Sequence, residues 1–362
     1  MVDISAQKAL ELQSEGAVLI DIRRPDEVAD LTAEGARIIP RDMLEINLSR
    51  EGLPSDTTVL LLCQSGARSS YAAKALRHLG WPDTHSVEGG FSRWLADNRP
   101  VKSVPFLSPS DRERYARHLS LPEVGTDGQA KLCKARIAMV GAGGLGAPAA
   151  LYLAAMGVGF IRLIDDDVVE VSNLQRQVIH SEATLGVEKV MSAAKRMQGL
   201  NSGITVETVA RRFDETCGDL IADVDLVING ADNFAARYTL NDLCLELGKP
   251  LIDGAVLEME GQLSVFCHPD GGPCYRCLYP ETPPSDLAPS CVAAGVLGVV
   301  PGTIGILQAL EAAKLITGFG KPLVGRLLTF DATDSSFEEI AFSKDPSCVC
   351  GVGCMQLQKG AA

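Results

Sequence analysis

The chain has 362 residues, of which 46% are hydrophobic and 22% are charged. This length exceeds one average domain, and this composition excludes a disordered or fibrous chain. The 46 acidic residues outnumber the 33 basic ones and give a net charge of -13. That charge argues against a protein that binds nucleic acid over its whole surface, although local basic sites for phosphate groups remain compatible with it.

The N-terminus lacks the basic flank and apolar run of a secretory signal, so we expect a cytoplasmic protein. The longest nearly uncharged stretch, residues 288–310, is interrupted by prolines and glycines and is not predicted to span a membrane. The sequence contains 11 cysteines. Without an export signal, they predict thiols and metal ligands rather than a disulfide framework.

Residues 1–100 have the pattern of a small α/β unit. Short apolar runs at 17–22 and 58–63 predict strands, and the spacing of apolar residues over 69–79 predicts a helix. The segment 101–110 contains two prolines and three serines and is predicted to be a linker. A charged helix over 111–119 is expected to open a second unit.

The segment CQSGARS, residues 63–69, joins a predicted strand to a predicted helix. Consecutive amides in such a turn form an anion nest, and a cysteine at its start acquires a lowered pKa and becomes a good nucleophile. Arg68 is expected to add a fixed positive charge. The alternative interpretation of Cys63 alone is a buried structural cysteine at a strand end.

Three further segments resemble the rhodanese family: IDIRRPDE (20–27), IIPRDMLE (38–45) and VEGGFSRW (87–94). The resemblance implies that Asp21 and Arg23 brace the domain and that Cys63 carries sulfur. Four residues separate Cys63 from Arg68, whereas related phosphatases need one more to hold a phosphate. The tighter loop favours a persulfide on Cys63 over a phosphocysteine.

The second unit alternates strands and helices. Strands are predicted at 136–140, 160–165, 225–229 and 251–253, and an apolar helix at 147–156. This alternation predicts a mostly parallel sheet. The loop GAGGLG follows the first of these strands and supplies Gly141, Gly143, Gly144 and Gly146, which permit close approach of a phosphate. Asp165, at the end of the next strand, is placed to accept from ribose hydroxyls.

By itself the glycine loop fits a nicotinamide dehydrogenase as well as an ATP site. Polar residues behind the second strand favour a triphosphate, because its charge must be neutralised: they are Asn173, Arg176, Gln177 and Lys189. Asp232 follows a predicted strand and is well placed for magnesium. No GxxxxGK[ST] motif occurs, which excludes a P-loop ATPase.

From about residue 112 to residue 351, these motifs resemble the MoeB/ThiF family of adenylating enzymes. The segments RYARHL (114–119), MEGQLSVF (259–266) and GPCYRCLYP (272–280) also match. The resemblance implies ATP as substrate, ribose binding by Asp165, phosphate binding by Asn173, Arg176 and Lys189, and magnesium at Asp232. It also implies a homodimer in which Arg117 reaches the phosphates of the partner subunit.

Cys274 and Cys277 form a CxxC motif, and a second cysteine group occurs near the C-terminus. Four thiolates close a tetrahedral structural zinc site. The family has a second CxxC at this point, but here DPSCVCG (345–351) sets Cys348 and Cys350 one residue too close, and Cys354 is a candidate substitute. The expected ligands are therefore Cys274, Cys277, Cys350 and one of Cys348 or Cys354, with a metal-free site as the alternative. Cys291, in a glycine-rich segment, is a candidate catalytic thiol.

The expected fold is α/β: a rhodanese-like parallel-sheet domain (1–100), a linker (101–110), a Rossmann-like adenylating domain with a zinc site (111–354) and a tail (355–362). The expected partners are a small ubiquitin-like sulfur carrier ending in Gly-Gly and a sulfur donor such as a cysteine desulfurase or thiosulfate, without nucleic acid or membrane. The carrier is adenylated with Mg-ATP and then receives sulfur from Cys63. Molybdopterin synthase's carrier is favoured, with carriers for thiamine, tRNA thiolation or natural products as alternatives.

Two other functions are weighed against this one. A nicotinamide-dependent oxidoreductase with an appended sulfur-binding module predicts nicotinamide binding without pyrophosphate release. A non-enzymatic scaffold would bind a carrier without activating it, and the presence of Arg117, Arg176, Lys189 and Asp232 argues against that function.

Overall fold

The computed structural model describes residues 3–24, 27–28, 31–50, 52–103, 107–267, 269, 271–281 and 295–350. The chain divides into two compact units, Met1–Ala130 and Lys131–Ala362. Strands and helices alternate along both units, which confirms the predicted α/β class. The two units are described separately below.

The first unit is built on a parallel sheet. Its strands lie in the order β1-β6-β5-β2-β4, and a separate antiparallel ribbon joins β3 to β7. The strands are β1 (Asp3–Ile4), β2 (Val18–Asp21), β3 (Leu31–Ala33), β4 (Arg37–Ile38), β5 (Val59–Leu62), β6 (Thr84–Val87) and β7 (Val101–Ser103). All four residues of β5 are buried, as its continuous apolar run requires for a central parallel strand.

Helices cover both faces of this sheet and enclose two apolar clusters. The helices that contribute to these clusters are Ala6–Ser14, Leu44–Arg50, Ala67–His78 and Gly90–Ala96. The helices Pro109–Arg114 and Ala116–Leu119 follow, and Gly125–Lys134 contains the boundary between the units; Arg41–Met43 forms a 3-10 turn. The predicted helix over 69–79 is present and begins two residues earlier.

The segment predicted as a linker, 101–110, is partly regular. Its first three residues form β7, paired with β3, and Ser108 caps the helix Pro109–Arg114 with a capping box closed by Asp111. Tyr115 separates this helix from Ala116–Leu119, so the predicted charged helix over 111–119 occurs as two short helices.

The second unit contains an eight-stranded mixed sheet in the order β10-β9-β8-β11-β12-β13-β14-β15. The first five strands in this order are parallel, and β13, β14 and β15 extend the sheet as antiparallel strands. The strands are β8 (Arg136–Val140), β9 (Phe160–Ile164), β10 (Thr205–Val209), β11 (Leu226–Asn229), β12 (Leu251–Leu257), β13 (Glu260–Phe266), β14 (Arg326–Asp331) and β15 (Ser336–Ala341).

The helices of this unit pack on the sheet and on one another. They are Gly146–Met156, Lys189–Leu200, Asp219–Ala222, Phe234–Leu247, Tyr275–Leu278 and Val299–Thr317, with 3-10 turns at Val171–Asn173, Glu182–Thr184 and Glu215–Cys217. Apolar residues on both sides of the sheet form two buried clusters. The crossover from β8 through Gly146–Met156 to β9 places the glycine loop at the carboxyl edge of the parallel strands.

The helix Val299–Thr317 is long and apolar enough to cross a membrane by length and composition alone. In this structure it packs against β12, β13 and the helix Gly146–Met156, and half of its most apolar stretch of 18 residues is buried inside the protein. Gln308, in its middle, is fully buried and donates to the carbonyl oxygen of Asn229 at 2.6 Å. The described contacts are those of a core helix of this unit.

Candidate functional sites

The Cys63 loop connects the buried strand β5 to the helix Ala67–His78. Gly66 precedes this helix with φ of +91°, a left-handed conformation that glycine adopts without steric cost. The turn directs the first backbone N–H groups of the helix toward the Cys63 sulfur. Gly66 N lies 3.1 Å and Ser69 N 3.4 Å from Sγ, and the Ser69 hydroxyl also lies 3.4 Å from it.

These hydrogen bonds make Cys63 a candidate nucleophile. Burial raises the pKa of its thiol, but hydrogen bonds from Ser69 and from the backbone N–H groups of Ser65 and Gly66 outweigh burial, and the net pKa is lowered. Because Cys63 has no exposed surface, a donor sulfur reaches it only when neighbouring groups move aside.

The loop is held from behind by the Gly89–Gly90 pair of the segment VEGGFSRW (87–94). Gly90 has φ of +58°, and a Cβ built on it would lie 2.2 Å from the carbonyl oxygen of Cys63. The helix Gly90–Ala96 then donates from Phe91 N to Cys63 O at 2.7 Å and from Ser92 N to Gln64 O at 3.0 Å. A residue larger than glycine at position 90 would displace the sulfur-bearing turn.

Asp21 and Arg23 form a buried ion pair at 2.7 Å, in agreement with the bracing role that the sequence implied. Arg23 also donates to the Leu31 carbonyl at 2.8 Å and to Gln64 at 3.3 Å, and its guanidinium lies 3.8 Å from the ring centre of Phe91. The pair therefore connects β2 to the loop that carries Cys63. A buried charge pair is tolerated here because its donors and acceptors are hydrogen-bonded.

Arg68 does not present an unpaired charge to the loop. Its two terminal nitrogens donate to the two carboxylate oxygens of Glu27 at 2.7 and 2.5 Å. The Arg68 guanidinium lowers the pKa of Glu27 to about 2, so Glu27 stays ionised throughout the neutral range. Sequence reasoning missed this partner, although Glu27 lies in the same segment as Asp21.

The glycine loop of the second unit is equally dependent on small residues. Gly141 has φ of +96°, and its added Cβ would lie 2.6 Å from the backbone of Gly230. A Cβ on Gly146 would lie 2.0 Å from the carbonyl oxygen of Gly141. Gly146 thus permits the helix to begin close against the strand, and the loop leaves room for a ligand above it.

A cavity of about 800 Å³ opens at this loop, at the carboxyl edge of the parallel strands. It is lined by eight of the predicted ligand-binding residues: Gly141, Gly143, Gly144, Asp165, Asn173, Arg176, Lys189 and Asp232. Gly146 packs behind the loop instead. Residues separated by up to 91 positions therefore meet in one cavity that can hold a nucleotide.

Hydrogen bonds fix the positions of three charged side chains of the cavity, those of Asp165, Lys189 and Arg176. Asp165 accepts from the N–H groups of Ala142 at 2.7 Å and Asp167 at 2.9 Å, and burial raises its pKa. Lys189 is buried and donates to Asp167 at 2.7 Å. Arg176 donates to the Ser172 carbonyl at 3.0 Å.

His180 holds the other side of the glycine loop. Its Nε2 lies 3.1 Å from the carbonyl oxygen of Ala142, and its Nδ1 lies 2.9 Å from the Ser192 hydroxyl. Since a carbonyl oxygen only accepts, Nε2 carries a proton. Burial lowers the pKa of His180, which favours the neutral ring. These contacts give His180 a structural role at the loop.

One buried polar atom at the cavity lacks a partner in the part of the chain described. Gln177 Oε1 is buried and accepts no hydrogen bond, and its amide nitrogen lies 3.5 Å from the Cβ position of Gly143. An atom of this kind beside a glycine loop fits a ligand that supplies the missing donor.

Three arginines that sequence reasoning did not select also line the cavity: Arg211, Arg212 and Arg237. Arg211 and Arg212 lie just after the end of β10. Residues that follow the carboxyl end of a parallel strand are candidates for ligand binding, so the sequence could have indicated both. Arg237 is buried and bonded to Asp253 at 2.6 Å and to the Gly254 carbonyl at 2.9 Å. No local pattern connects Arg237 with Asp253.

Arg117 is exposed on the helix Ala116–Leu119 in the first unit, and it is not among the residues that line the cavity. Its predicted role toward a partner subunit remains a prediction.

The candidate metal site is a cluster of four cysteines: Cys274, Cys277, Cys348 and Cys350. Their Sγ atoms lie within 4.8 Å of one another, with separations of 3.9 Å for Cys274–Cys277, 3.5 Å for Cys274–Cys348 and 3.3 Å for Cys277–Cys350. A tetrahedral zinc ion with bonds of about 2.3 Å separates its sulfur ligands by about 3.8 Å, so the cluster can bind zinc after small adjustments.

Of the two cysteines proposed to complete this site, the cluster contains Cys348; Cys354 lies outside the described residues, as does Cys291. Burial raises the pKa of the Cys274 thiol to about 11, and a bound cation would favour its thiolate form. The CxxC turn is anchored to the helix Phe234–Leu247, because Asn241 Oδ1 accepts from Tyr275 N at 2.7 Å.

Two family models match the chain. The ThiF family model matches residues 115–351, and the rhodanese-like domain model matches residues 5–97. Among curated relatives, the SAMP-activating enzyme E1 of Haloferax volcanii is 49% identical over 249 residues, which cover 68% of this chain and 92% of the relative. The sulfur carrier protein adenylyltransferase of Thermus thermophilus is 46% identical over 245 residues, which cover 66% of this chain and 90% of the relative.

The probable adenylyltransferase/sulfurtransferase MoeZ of Mycobacterium tuberculosis is 47% identical over 251 residues, which cover 68% of this chain and 64% of the relative. Among solved structures, E. coli MccB with a bound MccA derivative superimposes with a TM-score of 0.59 at 23% identity, covering 72% and 80% of the two chains. That similarity confirms the Rossmann-like fold. The chain is therefore an enzyme of the ThiF family that carries an N-terminal rhodanese-like domain.

Proposed function

We propose that the enzyme uses ATP to adenylate the C-terminal glycine of a small ubiquitin-like sulfur carrier and then converts it to a thiocarboxylate with sulfur from Cys63. The observation that carries this proposal is the cavity in which the glycine loop, Asp165, Arg176, Lys189 and Asp232 come together. The names of the Haloferax and Thermus relatives support a carrier protein as substrate.

In the adenylation step, a carboxylate oxygen of the carrier attacks the α-phosphorus of ATP, and pyrophosphate leaves. Arg176 and Lys189 lie in the cavity and would oppose the phosphate charge, which grows on the leaving group. Asp165 would bind the ribose. Asp232 would hold magnesium, which neutralises phosphate charge when it is bound.

In the sulfur step, the terminal sulfur of a Cys63 persulfide attacks the carbonyl carbon of the acyl-adenylate and displaces AMP. The resulting acyl disulfide is cleaved by a second thiol, either Cys291 or an external reductant. That thiol attacks the Cys63 sulfur and releases the carrier thiocarboxylate. The lowered pKa of Cys63 supports its role as the sulfur-accepting thiolate.

We also propose zinc at the four-cysteine cluster, a homodimer and a cytoplasmic location. Apolar side chains exposed on two helices that pack together support the dimer: Tyr152 on Gly146–Met156, and Ile306 and Leu310 on Val299–Thr317. Arg117 would then act on the nucleotide of the partner subunit.

The experiment that tests the proposal is the intact mass of candidate carriers after incubation with the enzyme, Mg-ATP and a sulfur donor. Carriers for molybdopterin, thiamine and tRNA thiolation are compared, with the molybdopterin carrier expected to react. Wild type should replace one carrier oxygen with sulfur, and Cys63→Ala should release pyrophosphate and form the carrier adenylate without sulfur transfer. Cys133→Ala is the matched control, because Cys133 lies outside both candidate cysteine sites.

Absence of pyrophosphate release with every carrier would contradict adenylation. Sulfur transfer by Cys63→Ala would remove Cys63 from the reaction. Binding of a nicotinamide nucleotide without pyrophosphate release would instead favour the oxidoreductase alternative, against which the ThiF family match already argues.

A further inference from the structure

A second cavity, of about 890 Å³, opens beside the Ala67–Arg68 end of the Cys63 loop. Three arginines line it, Arg24, Arg41 and Arg68, together with Pro40, Asp42, Ala67, Tyr71 and Ser120. Arginines beside a nucleophilic cysteine would ordinarily attract an anionic donor. Whether they do so here depends on which carboxylates face them.

Each of these arginines is paired. Arg24 lies 3.5 Å from Glu27, Arg68 lies 2.5 Å from Glu27, and Arg41 lies 2.7 Å from Glu45. Asp42 adds a third carboxylate to the surroundings. Among the described residues, the carboxylates of Glu27, Glu45 and Asp42 therefore lie at the cavity or pair with the arginines that line it.

Glu27 is the centre of this arrangement. Both of its carboxylate oxygens accept from Arg68, and Oε2 also accepts from the backbone N–H of Arg24 at 3.0 Å. Its carbonyl oxygen accepts from Arg23 at 3.2 Å, which ties the residue to the buried Asp21 pair. The Glu27 side chain is 22% exposed and its position is fixed from three directions.

We propose that Glu27 is a specificity-determining residue: by neutralising Arg68, it makes the Cys63 loop select a donor whose reacting group is an uncharged persulfide over a donor whose reacting group is dianionic, such as thiosulfate. The inference rests on the proposed function, in which Cys63 carries sulfane sulfur. Glu27 touches no reacting atom and acts through Arg68.

The two donors differ in charge, but the same kinds of bond form and break with both. With a persulfide R–S–SH, the Cys63 thiolate attacks the outer sulfur, the new S–S bond forms, and the donor S–S bond breaks with its electron pair leaving on RS⁻. With thiosulfate, the same attack on the outer sulfur releases sulfite. The reacting groups carry one negative charge with the persulfide and three with thiosulfate, so only thiosulfate needs an uncompensated guanidinium.

The test measures KM for thiosulfate and for glutathione persulfide, with Cys63 loading followed by intact mass of the full-length enzyme. Glu27→Gln keeps the size of the side chain and removes its charge. It should lower KM for thiosulfate by at least about tenfold and leave KM for glutathione persulfide within about twofold. Glu27→Ala removes the same charge and provides a second variant with the same expectation.

Glu45→Gln is the matched control, because it removes one charge from the Arg41 pair at the same cavity without contacting Arg68. It should leave both KM values within about twofold, and Glu27→Asp should retain the wild-type preference. Equal effects of Glu27→Gln and Glu45→Gln would overturn the proposal, as would an unchanged KM for thiosulfate in Glu27→Gln. Failure of the proposed function looks different: neither donor would load Cys63 in wild type.

Discussion

The Cys63 loop and the glycine loop both join a parallel strand to a helix, and both rely on glycines that approach backbone closely. They differ in what they enclose. The Cys63 loop closes around one buried sulfur and supplies that atom's hydrogen bonds from its own backbone. The glycine loop borders a cavity of about 800 Å³ whose lining comes from several strand ends.

This difference shows how one local geometry serves two chemistries. A loop that satisfies a single sulfur needs few distant partners, so its residues are nearly contiguous in sequence. A loop that receives a nucleotide must leave its N–H groups for the ligand and recruit charges from elsewhere. Variants that affect one loop and spare the other test whether the two sites act separately.

The largest expected effect is at Lys189. Lys189→Met should lower the rate of carrier-dependent pyrophosphate release by roughly 10²–10³, because the proposed function places this buried charge opposite the ATP phosphates. Cys63 persulfide loading should be unchanged. Pyrophosphate release and intact mass measure the two activities, and Lys195→Met is the control on the same helix, since Lys195 is exposed. Equal pyrophosphate release by wild type and Lys189→Met would remove Lys189 from the nucleotide site.

The opposite effect, loss of sulfur loading with adenylation spared, is expected from a substitution at Gly90. Gly90→Ala should lower the rate of Cys63 persulfide loading by roughly 100-fold, because its Cβ would displace the Cys63 carbonyl by an ångström or more. Carrier-dependent pyrophosphate release should persist. Gly80→Ala is the control, because Gly80 also has a positive φ but open space around its Cβ position. A similar loss in both variants would point to backbone strain rather than to the contact with Cys63.

The cysteine cluster should affect stability more than chemistry. Cys277→Ser should reduce zinc content and lower the apparent Tm by at least about 5 °C, because metal binding contributes directly to folding. A chelator should produce a similar shift in wild type, and Cys133→Ser should not. Purified wild type without zinc, and with an unchanged Tm in Cys277→Ser, would favour the metal-free alternative.

The smallest expected effect concerns His180 and pH. Burial lowers the pKa of His180 in the folded state, so below the ordinary pKa of about 6.5 the unfolded chain binds more protons. Stability is therefore lost as pH falls through 6.5 toward the lower folded pKa. When the pH is lowered from 7.5 to 5.5, the Tm of the wild type should fall by more than the Tm of His180→Gln. The control variant His118→Gln should behave like the wild type. Equal losses in wild type and His180→Gln would contradict this linkage.

Much of this fold was predictable because the strands are short apolar runs bounded by turn residues. The strand Arg136–Val140 has the predicted bounds, and the helix Gly146–Met156 begins one residue earlier than predicted. The antiparallel strands β13, β14 and β15 were not predicted. β13 pairs with β14 far along the chain, whereas β14 and β15 form a local hairpin in which β15 is mostly exposed and has no buried apolar run. The β3–β7 ribbon also joins segments far apart in the chain.

The candidate sites likewise contain residues that a local sequence pattern indicates and residues that only the folded chain brings together. Sequence patterns selected Cys63, the glycine loop, Asp165 and Lys189, since each chemistry demands particular residues beside a strand end. The Glu27–Arg68 pair, the Arg237–Asp253 pair and the orphaned Gln177 oxygen became visible only in three dimensions. The sequence motif also left open whether Cys348 could join Cys274, Cys277 and Cys350, which the folded chain brings together.

By itself the sequence determined the two modules, their order and the residue types available for chemistry, because local hydrophobic periodicity and turn composition act over a few residues. Tertiary structure decided which charges remain available. Arg68 is next to the nucleophilic loop in sequence but faces Glu27, 41 residues earlier. Ion pairing depends on distances of a few ångströms that chain separation does not encode, so the electrostatic character of each site is a property of the fold.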